Sequence, residues 1–321
     1  MNFITQNKNI IISLLLLIAS LISIYSLYYF WVNKVYFIMS QHIVAVVGLG
    51  YAGLPLAIEF GKKRPVIGYD TSTSRIEELK TNFDRNQEIK NAEFSLSTHL
   101  HFTNNPEEIA DSNVYIVTVP TPITTDKRPD LTLLLKASET VGSFLKQGDI
   151  VVYESTVYPG TTEDVCLPIL SKLSNLIYRK DFNIGYSPER INPGDKIYTL
   201  KNITKVVAIK TKNKKILNKV FTIYKNISKK LIKSQSIKEA ETAKVIENIQ
   251  RDLNIALMNE ILLICKKLRI NFNEVIKLAR SKWNFINFKP GLVGGHCLPV
   301  DPYYLSSISA KNNFKTEVTL A

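Results

Sequence analysis

Four residues in this 321-residue sequence are of types that carry out chemistry: Cys297, Lys244, Asn248 and Asp301. Cys297 closes the run Lys289-Pro290-Gly291-Leu292-Val293-Gly294-Gly295-His296-Cys297. The glycines and proline of that run build a loop that can wrap a ligand closely. A thiol so placed serves as a nucleophile when a nearby cation favours its thiolate, and a small buried cysteine in a glycine-rich turn is the plain alternative. Lys244 and Asn248 are four residues apart in a helical pattern and so share one face. Together they can donate to the oxyanion that forms when a thiolate meets a carbonyl. Asp301, four residues past Cys297, can position or deprotonate a water. The other cysteines, Cys166 and Cys265, fall on apolar helical patterns and read as core.

A second constellation is Gly48-Leu49-Gly50-Tyr51-Ala52-Gly53. A β-rich run precedes it, a helical pattern follows it, and Asp70 ends the next β-rich run, 22 residues beyond Gly48. Gly48 permits the tight turn and Gly50 lets the backbone approach a pyrophosphate. Gly53 allows close helix–strand packing, and Asp70 can accept hydrogen bonds from ribose hydroxyls. An acid there favours NAD over NADP, since it repels a 2′-phosphate. Val119-Pro120-Thr121-Pro122 ends another β-rich run as a stiff loop at the carboxyl edge of the sheet, beside the expected ligand crevice.

The elements that must hold these groups are legible as alternating patterns. Strands are expected at 42–47, 65–70, 114–119, 150–155, 182–187 and 205–209. Helices are expected at 52–62, 130–146, 161–173 and 213–224. Such alternation implies an α/β fold with a doubly wound, Rossmann-type parallel sheet. A long connecting helix follows over 239–268, with a second at 273–280, so the C-terminal third is α-helical. The expected domains are an NAD-binding unit over 39–231 and the long helix with its α-helical domain over 232–321.

Composition narrows the function classes. The chain is 45% hydrophobic and 21% charged, which excludes a disordered tail. Three unpaired-looking cysteines with no CxxC fit a reducing compartment and offer no zinc site. The net charge of +13 sits wholly between Lys196 and Lys238, where thirteen lysines meet no Asp, Glu or Arg. A stretch without Arg reads as a solvated lysine-rich face, so no nucleic-acid partner is expected. Residues 10–32 form an uncharged apolar run long enough to span a bilayer, and Met39 follows it. The segment 1–38 is either an inner-membrane anchor for a cytoplasmic catalytic domain or an extension upstream of a start at Met39, which leaves a cytoplasmic protein.

From about His42 onward the sequence resembles the nucleotide-sugar 6-dehydrogenases, the UDP-glucose/GDP-mannose dehydrogenase family. The resemblance rests on six ordered motifs: Gly48-Leu49-Gly50-Tyr51-Ala52-Gly53-Leu54-Pro55; Val119-Pro120-Thr121-Pro122; Glu154-Ser155-Thr156; Ser187-Pro188-Glu189-Arg190; Ala240-Glu241-Thr242-Ala243-Lys244 with Asn248; and Gly294-Gly295-His296-Cys297. Within the family, Arg190-Ile191-Asn192-Pro193-Gly194-Asp195 and Val300-Asp301-Pro302-Tyr303-Tyr304-Leu305 resemble the branch that oxidises UDP-N-acetylhexosamines.

The resemblance implies an NAD-dependent four-electron oxidation at C6 of a UDP-N-acetylhexosamine, through a Cys297 thiohemiacetal and thioester, for surface polysaccharide. UDP-glucose and UDP-N-acetylmannosamine are alternative substrates. It assigns oxyanion stabilisation to Lys244 and Asn248, water activation to Thr156 and Asp301, and acid/base work to Glu189. Cofactor contacts are implied at Gly48, Gly50, Tyr51, Gly53, Asp70, Arg75, Pro120, Thr121 and Thr156. Substrate contacts are implied at Glu189, Arg190, Lys244, Asn248, Gly291 and Gly294.

A homodimer through the long helix is also implied. Family members carry a third, Rossmann-like domain beyond the position of Ala321, so a separately encoded C-terminal partner or an inactive NAD-binding remnant is a further expectation. A one-step hydroxyacid dehydrogenase shares the cofactor fold and the Lys–Asn pair, but it has no use for Cys297.

Overall fold

Short runs of β-branched and aromatic residues make the central strands: VAVV at β1 (Val44–Val47), VYIV at β4 (Val114–Val117) and IVVY at β5 (Ile150–Tyr153), each buried throughout. Strands that are apolar on both faces need cover on both, which a parallel sheet with crossover helices supplies. The computed structural model describes Ser20, Ser23, Tyr25 and residues 43–191, 197–294 and 300–320, and Ile43–Ala321 form one compact unit. The apolar run at 10–32 lies outside the described residues except at those first three positions, and among the described residues no helix is long and apolar enough to cross a membrane.

Eight strands form one sheet in the order β3-β2-β1-β4-β5-β6-β7-β8. Besides those named, these are β2 (Val66–Tyr69), β3 (Leu100–Thr103), β6 (Asn183–Tyr186), β7 (Thr204–Ile209) and β8 (Lys230–Ser234). Every pair is parallel except β6–β7, so the doubly wound arrangement expected from sequence holds through β6 and then reverses. The sheet's inner alternation divides the core in two. Val44, Val46, Ile116 and Val152 pack with helix α1 (Gly53–Gly61) on one face. Ala45, Val47, Tyr115, Val117 and Val151 pack with the helices Thr132–Phe144 and Leu167–Ser174 on the other.

Several elements depart from expectation. Strands β3 and β8 and the helices Thr73–Lys80 and Asn91–Leu96 were not expected, and β8 carries the sheet past the boundary placed at 231. The helix expected over 161–173 begins as a π-helix at Thr161–Cys166, with the Leu167 N–H reaching the Thr162 carbonyl, and continues as an α-helix over Leu167–Ser174. Pro168 accounts for this: in an α-helix its ring would meet the carbonyl four residues back, and the wider turn relieves that contact.

The long helix, Ile237–Leu268, spans 32 residues and begins two residues earlier than its apolar pattern suggests. The Ser236 hydroxyl caps it by accepting from the Glu239 N–H at 3.2 Å. Arg269, at φ 59°, ends it in the left-handed conformation. Its first half packs on the sheet unit through Ile237, Ala240, Val245 and Ile249, the last two against Tyr304 of the helix Asp301–Lys311. Its second half exposes Leu257, Leu263 and Leu268, and the following helix, Phe272–Ala279, buries no residue at all.

Candidate active site

A cavity of about 500 Å³ opens at the carboxyl ends of β1, β4, β5 and β6 and is closed on one side by the long helix. The glycine turn forms one wall. Gly48 has φ +95°, a conformation side chains resist, and its N–H donates to the Tyr69 carbonyl at 2.8 Å. A Cβ on Gly53 would lie 1.9 Å from the Gly48 carbonyl oxygen, so only glycine lets α1 start this close to the strand. A Cβ on Gly50 would meet nothing within 4 Å, and Gly50, Tyr51 and Ala52 line the cavity. An open backbone at a helix N-terminus is what an approaching pyrophosphate requires.

Asp70 sits beside that turn, accepting from the Leu49 N–H at 2.8 Å and the Ser72 N–H at 2.9 Å. Arg75 does not line the cavity. Its buried guanidinium braces the turn from beneath, donating to the Leu49 carbonyl at 3.0 Å, Glu78 at 2.6 Å and Asp84 at 2.8 Å. Opposite, Pro120, Thr121 and Thr156 line the cavity, and the Thr121 hydroxyl donates to the Thr156 carbonyl at 2.6 Å. Tyr304 reaches across from the C-terminal region to donate to the Thr121 and Pro122 carbonyls at 3.0 and 3.2 Å. The stiff loop after β4 is thereby tied to the helix that carries Asp301.

The candidate chemical groups converge from three elements. Lys244, on the long helix, is buried and lines the cavity, as do Asp301 and Glu189. One Asn248 amide N–H donates to Asp301 Oδ2. Burial pushes the Asp301 carboxyl up to about 6 against the opposing pull of the Lys244 charge and the Asn248 hydrogen bond. Glu189 Oε1 accepts from the Arg190 and Ile191 N–H groups at 2.6 and 2.7 Å, while Oε2 has no hydrogen-bond partner among the described residues.

Other expected contacts lie elsewhere. Arg190 pairs with Glu247 at 2.7 Å and donates to the Thr204 carbonyl at 2.9 Å, away from the cavity lining. Gly291 exchanges two hydrogen bonds with the Asn259 side chain on the long helix, and Gly294 is exposed. Cys297, with residues 295–299, lies outside the described residues. Cys166 and Cys265 are buried thiols, and burial pushes Cys166 up to about 12.

Three groups at the site escaped the sequence reading. Asn86 lines the cavity, its N–H held by Asp84 at 3.1 Å. Glu154, noted only as part of a motif, is buried at the end of β5, and burial raises its carboxyl to about 7. Lys205 falls within the lysine-rich stretch expected to be a solvated face, yet its side chain is 0% exposed and hydrogen-bonds Glu154. Its signal was visible: a lysine inside the apolar strand run KVVAI must find a buried counter-charge.

Comparison with known proteins matches two family models. Residues 42–228 match the NAD binding domain of the UDP-glucose/GDP-mannose dehydrogenase family, and residues 238–321 match that family's central domain. The chain is 54% identical over 279 residues to a UDP-N-acetyl-D-glucosamine 6-dehydrogenase of Salmonella typhi, and 53% identical to Protein CapL of Staphylococcus aureus. Both alignments cover 87% of this chain and 65% of the relative. Among solved structures, a UDP-D-ManNAc dehydrogenase from Pyrococcus horikoshii superposes with a TM-score of 0.79 at 33% identity, covering 86% of this chain and 66% of that one.

Proposed function

Because the chain belongs to the UDP-glucose/GDP-mannose dehydrogenase family, we propose that it binds NAD at the Gly48–Gly53 turn and oxidises the C6 hydroxymethyl of a UDP-N-acetylhexosamine to the carboxylate, in the making of a surface polysaccharide. The observation that carries this reading is convergence. Lys244, Glu189, Asp301 and Thr156 line the same cavity as the open backbone of Gly50. The identity to a UDP-N-acetyl-D-glucosamine 6-dehydrogenase supports the choice of sugar.

NAD, when bound, supplies the acceptor for the two electrons that leave C6 at each oxidation. Gly50, Tyr51 and Asp70 would hold it, with Pro120 and Thr121 forming the opposite wall. The chain's own groups do the rest. Lys244 takes the C6 hydroxyl proton and, with the second N–H of Asn248, donates to the oxyanion that follows. Cys297 attacks the aldehyde carbon as a thiolate and holds it as a thiohemiacetal, so that a second oxidation yields a thioester. Thr156 and Asp301 hold the water that cleaves it, and Glu189 accepts that water's proton. Two copies pair through the apolar second half of the long helix, where Leu263 is 63% and Leu268 64% exposed.

The test is stoichiometric. The chain, mixed with NAD and UDP-N-acetylglucosamine, should form two NADH per sugar and none in Cys297→Ala. One NADH per sugar, unaffected by Cys297→Ala, would refute the thioester route. NAD binding without turnover would refute activity of the chain on this sugar.

A further inference from the structure

The helix Lys214–Lys225 turns Val220, Phe221, Ile223 and Tyr224 inward and contains no acid. On its outward side stand Lys214, Lys215, Asn218, Thr222 and Lys225, all exposed. Two contacts place it across the amino edge of the sheet, where β1, β2, β4 and β5 begin. Near its middle, Lys219 Nζ donates to the carbonyl of Gly148, just before β5, at 3.5 Å. Past its end, the Asn226 side-chain oxygen accepts from Arg64, just before β2, at 2.6 Å. The chain enters β1 between these anchors: the Ile43 N–H donates to Asn113 at 3.1 Å and the Val44 N–H to the Pro65 carbonyl at 3.2 Å. The cavity lies at the opposite, carboxyl edge.

This edge carries charge that the fold does not use. In the lysine-rich stretch, Lys201, Lys205, Lys210 and Lys238 pair with carboxylates. Lys212, Lys214, Lys215, Lys225 and Lys229 are exposed and form no ion pair among the described residues. The acids nearby are already paired or buried: Glu59 and Glu93 face Lys62, and Asp149 is 2% exposed. Like charges crowded on one face repel, so they cost the fold stability unless something anionic meets them. Two observations select the partner. A nucleic-acid face sets Arg and aromatic rings among its lysines, yet no Arg occurs from Lys212 to Lys229, and Phe221 and Tyr224 are buried. Second, the uncharged run at 10–32 is long enough to cross a bilayer. Residues 33–42 join it to this edge and span about 35 Å at most.

We propose that the amino edge of the sheet, led by Lys214, Lys215 and Lys225, is a docking face for an anionic lipid bilayer. The exposed ammonium groups meet the headgroup phosphates, while the apolar side of the helix stays in the core. Each lysine near an anionic surface is worth about fivefold in affinity, and salt weakens the attraction. Docking by this edge leaves the cavity open to solvent on the far side. No residue of the face lines the cavity, so docking is independent of the dehydrogenase reading.

The test measures binding of the full chain to vesicles of phosphatidylcholine, alone or mixed with phosphatidylglycerol. It compares wild type with Lys214→Gln/Lys215→Gln/Lys225→Gln and with Lys80→Gln/Lys136→Gln/Lys172→Gln, which removes the same charge from exposed sites on other helices. Wild type should prefer the anionic vesicles, and the first variant should bind them about 100-fold more weakly. The second variant should bind as wild type does. A footprint reads the same face even where the apolar run also inserts: acylation of Lys214, Lys215 and Lys225 by a water-soluble reagent should slow on the anionic vesicles alone, and that of Lys80, Lys136 and Lys172 on neither. Equal acylation of the three face lysines on both vesicle types would overturn the proposal. So would an equal loss of binding in the two variants, which would leave net charge as the only cause. A short DNA duplex that displaces wild type from the anionic vesicles at equal phosphate concentration would assign the face to nucleic acid instead.

Discussion

Replacing Asp301 by Asn should make the protein more stable at pH 8 and leave it unchanged at pH 3.5. Asp301 is 1% exposed, and burial lifts its carboxyl from the ordinary 3.8 to about 6. The native state therefore holds a proton that the unfolded chain releases, and ionising the group in place costs free energy. That cost is absent below the unfolded value, grows as pH rises, and is complete above about 6. The gap corresponds to about 3 kcal/mol. One favourable effect of the charge reduces the gain from removing it: Asp301 opens a helix whose N-terminus favours an anion. The dipole is worth about 1 kcal/mol, and Asn keeps an acceptor for Asn248, which leaves a net gain of about 2 kcal/mol. In urea this is a rise in midpoint on the order of 1 M at pH 8, shrinking to nothing by pH 3.5. A variant less stable than wild type at pH 8, or a difference that does not vary with pH, would refute the reasoning.

Two further substitutions test the framework of the site. Gly53→Ala should lower both stability and NAD affinity, since its Cβ would stand 1.9 Å from the Gly48 carbonyl oxygen and 2.4 Å from the Thr118 hydroxyl. A loss of about 3 kcal/mol in urea unfolding, with a weakened NAD titration, is expected; wild-type affinity would mean that the turn does not meet the cofactor. Glu241→Ala should cost about 4 kcal/mol, because the buried carboxylate accepts from the Gly160 N–H at 2.6 Å and the Thr162 N–H at 2.9 Å, and both would lose their partner. Glu241→Gln, which keeps one acceptor, should recover about half of that loss in the same assay.

The residues that were legible in sequence share a physical trait: their pattern is local. The strands at β1, β4 and β5 are runs of four buried residues, all β-branched or aromatic except Ala45, and the glycine turn is read within six positions. What was missed depends on distant partners. Strand β8 reads KLIKS and is largely exposed at the sheet edge, so no apolar alternation marks it. Arg75, a cofactor contact by resemblance, is held instead by Asp84 and Glu78. Lys205 vanished into a count of thirteen lysines because a charge total is blind to which one faces inward. The Lys244–Asn248 spacing did predict a shared face, yet that Asn248 would bond Asp301 follows only from how the last helix docks.

The reversal at β7 also bears on the register of the sheet. Lys205 enters the interior at the start of its strand, and its two carboxylate partners sit at the ends of β5 and β6. An ammonium driven into an apolar interior ahead of its counter-charges would face a desolvation penalty of several kcal/mol. The interior placement of Lys205 therefore depends on the pairing of β5 and β6, which brings its two carboxylate partners together. Among the described residues, β8 pairs with β7 alone. The buried lysine thus couples the outer strands to the parallel sheet: a slip in the register of β5 against β6 would separate its two counter-charges.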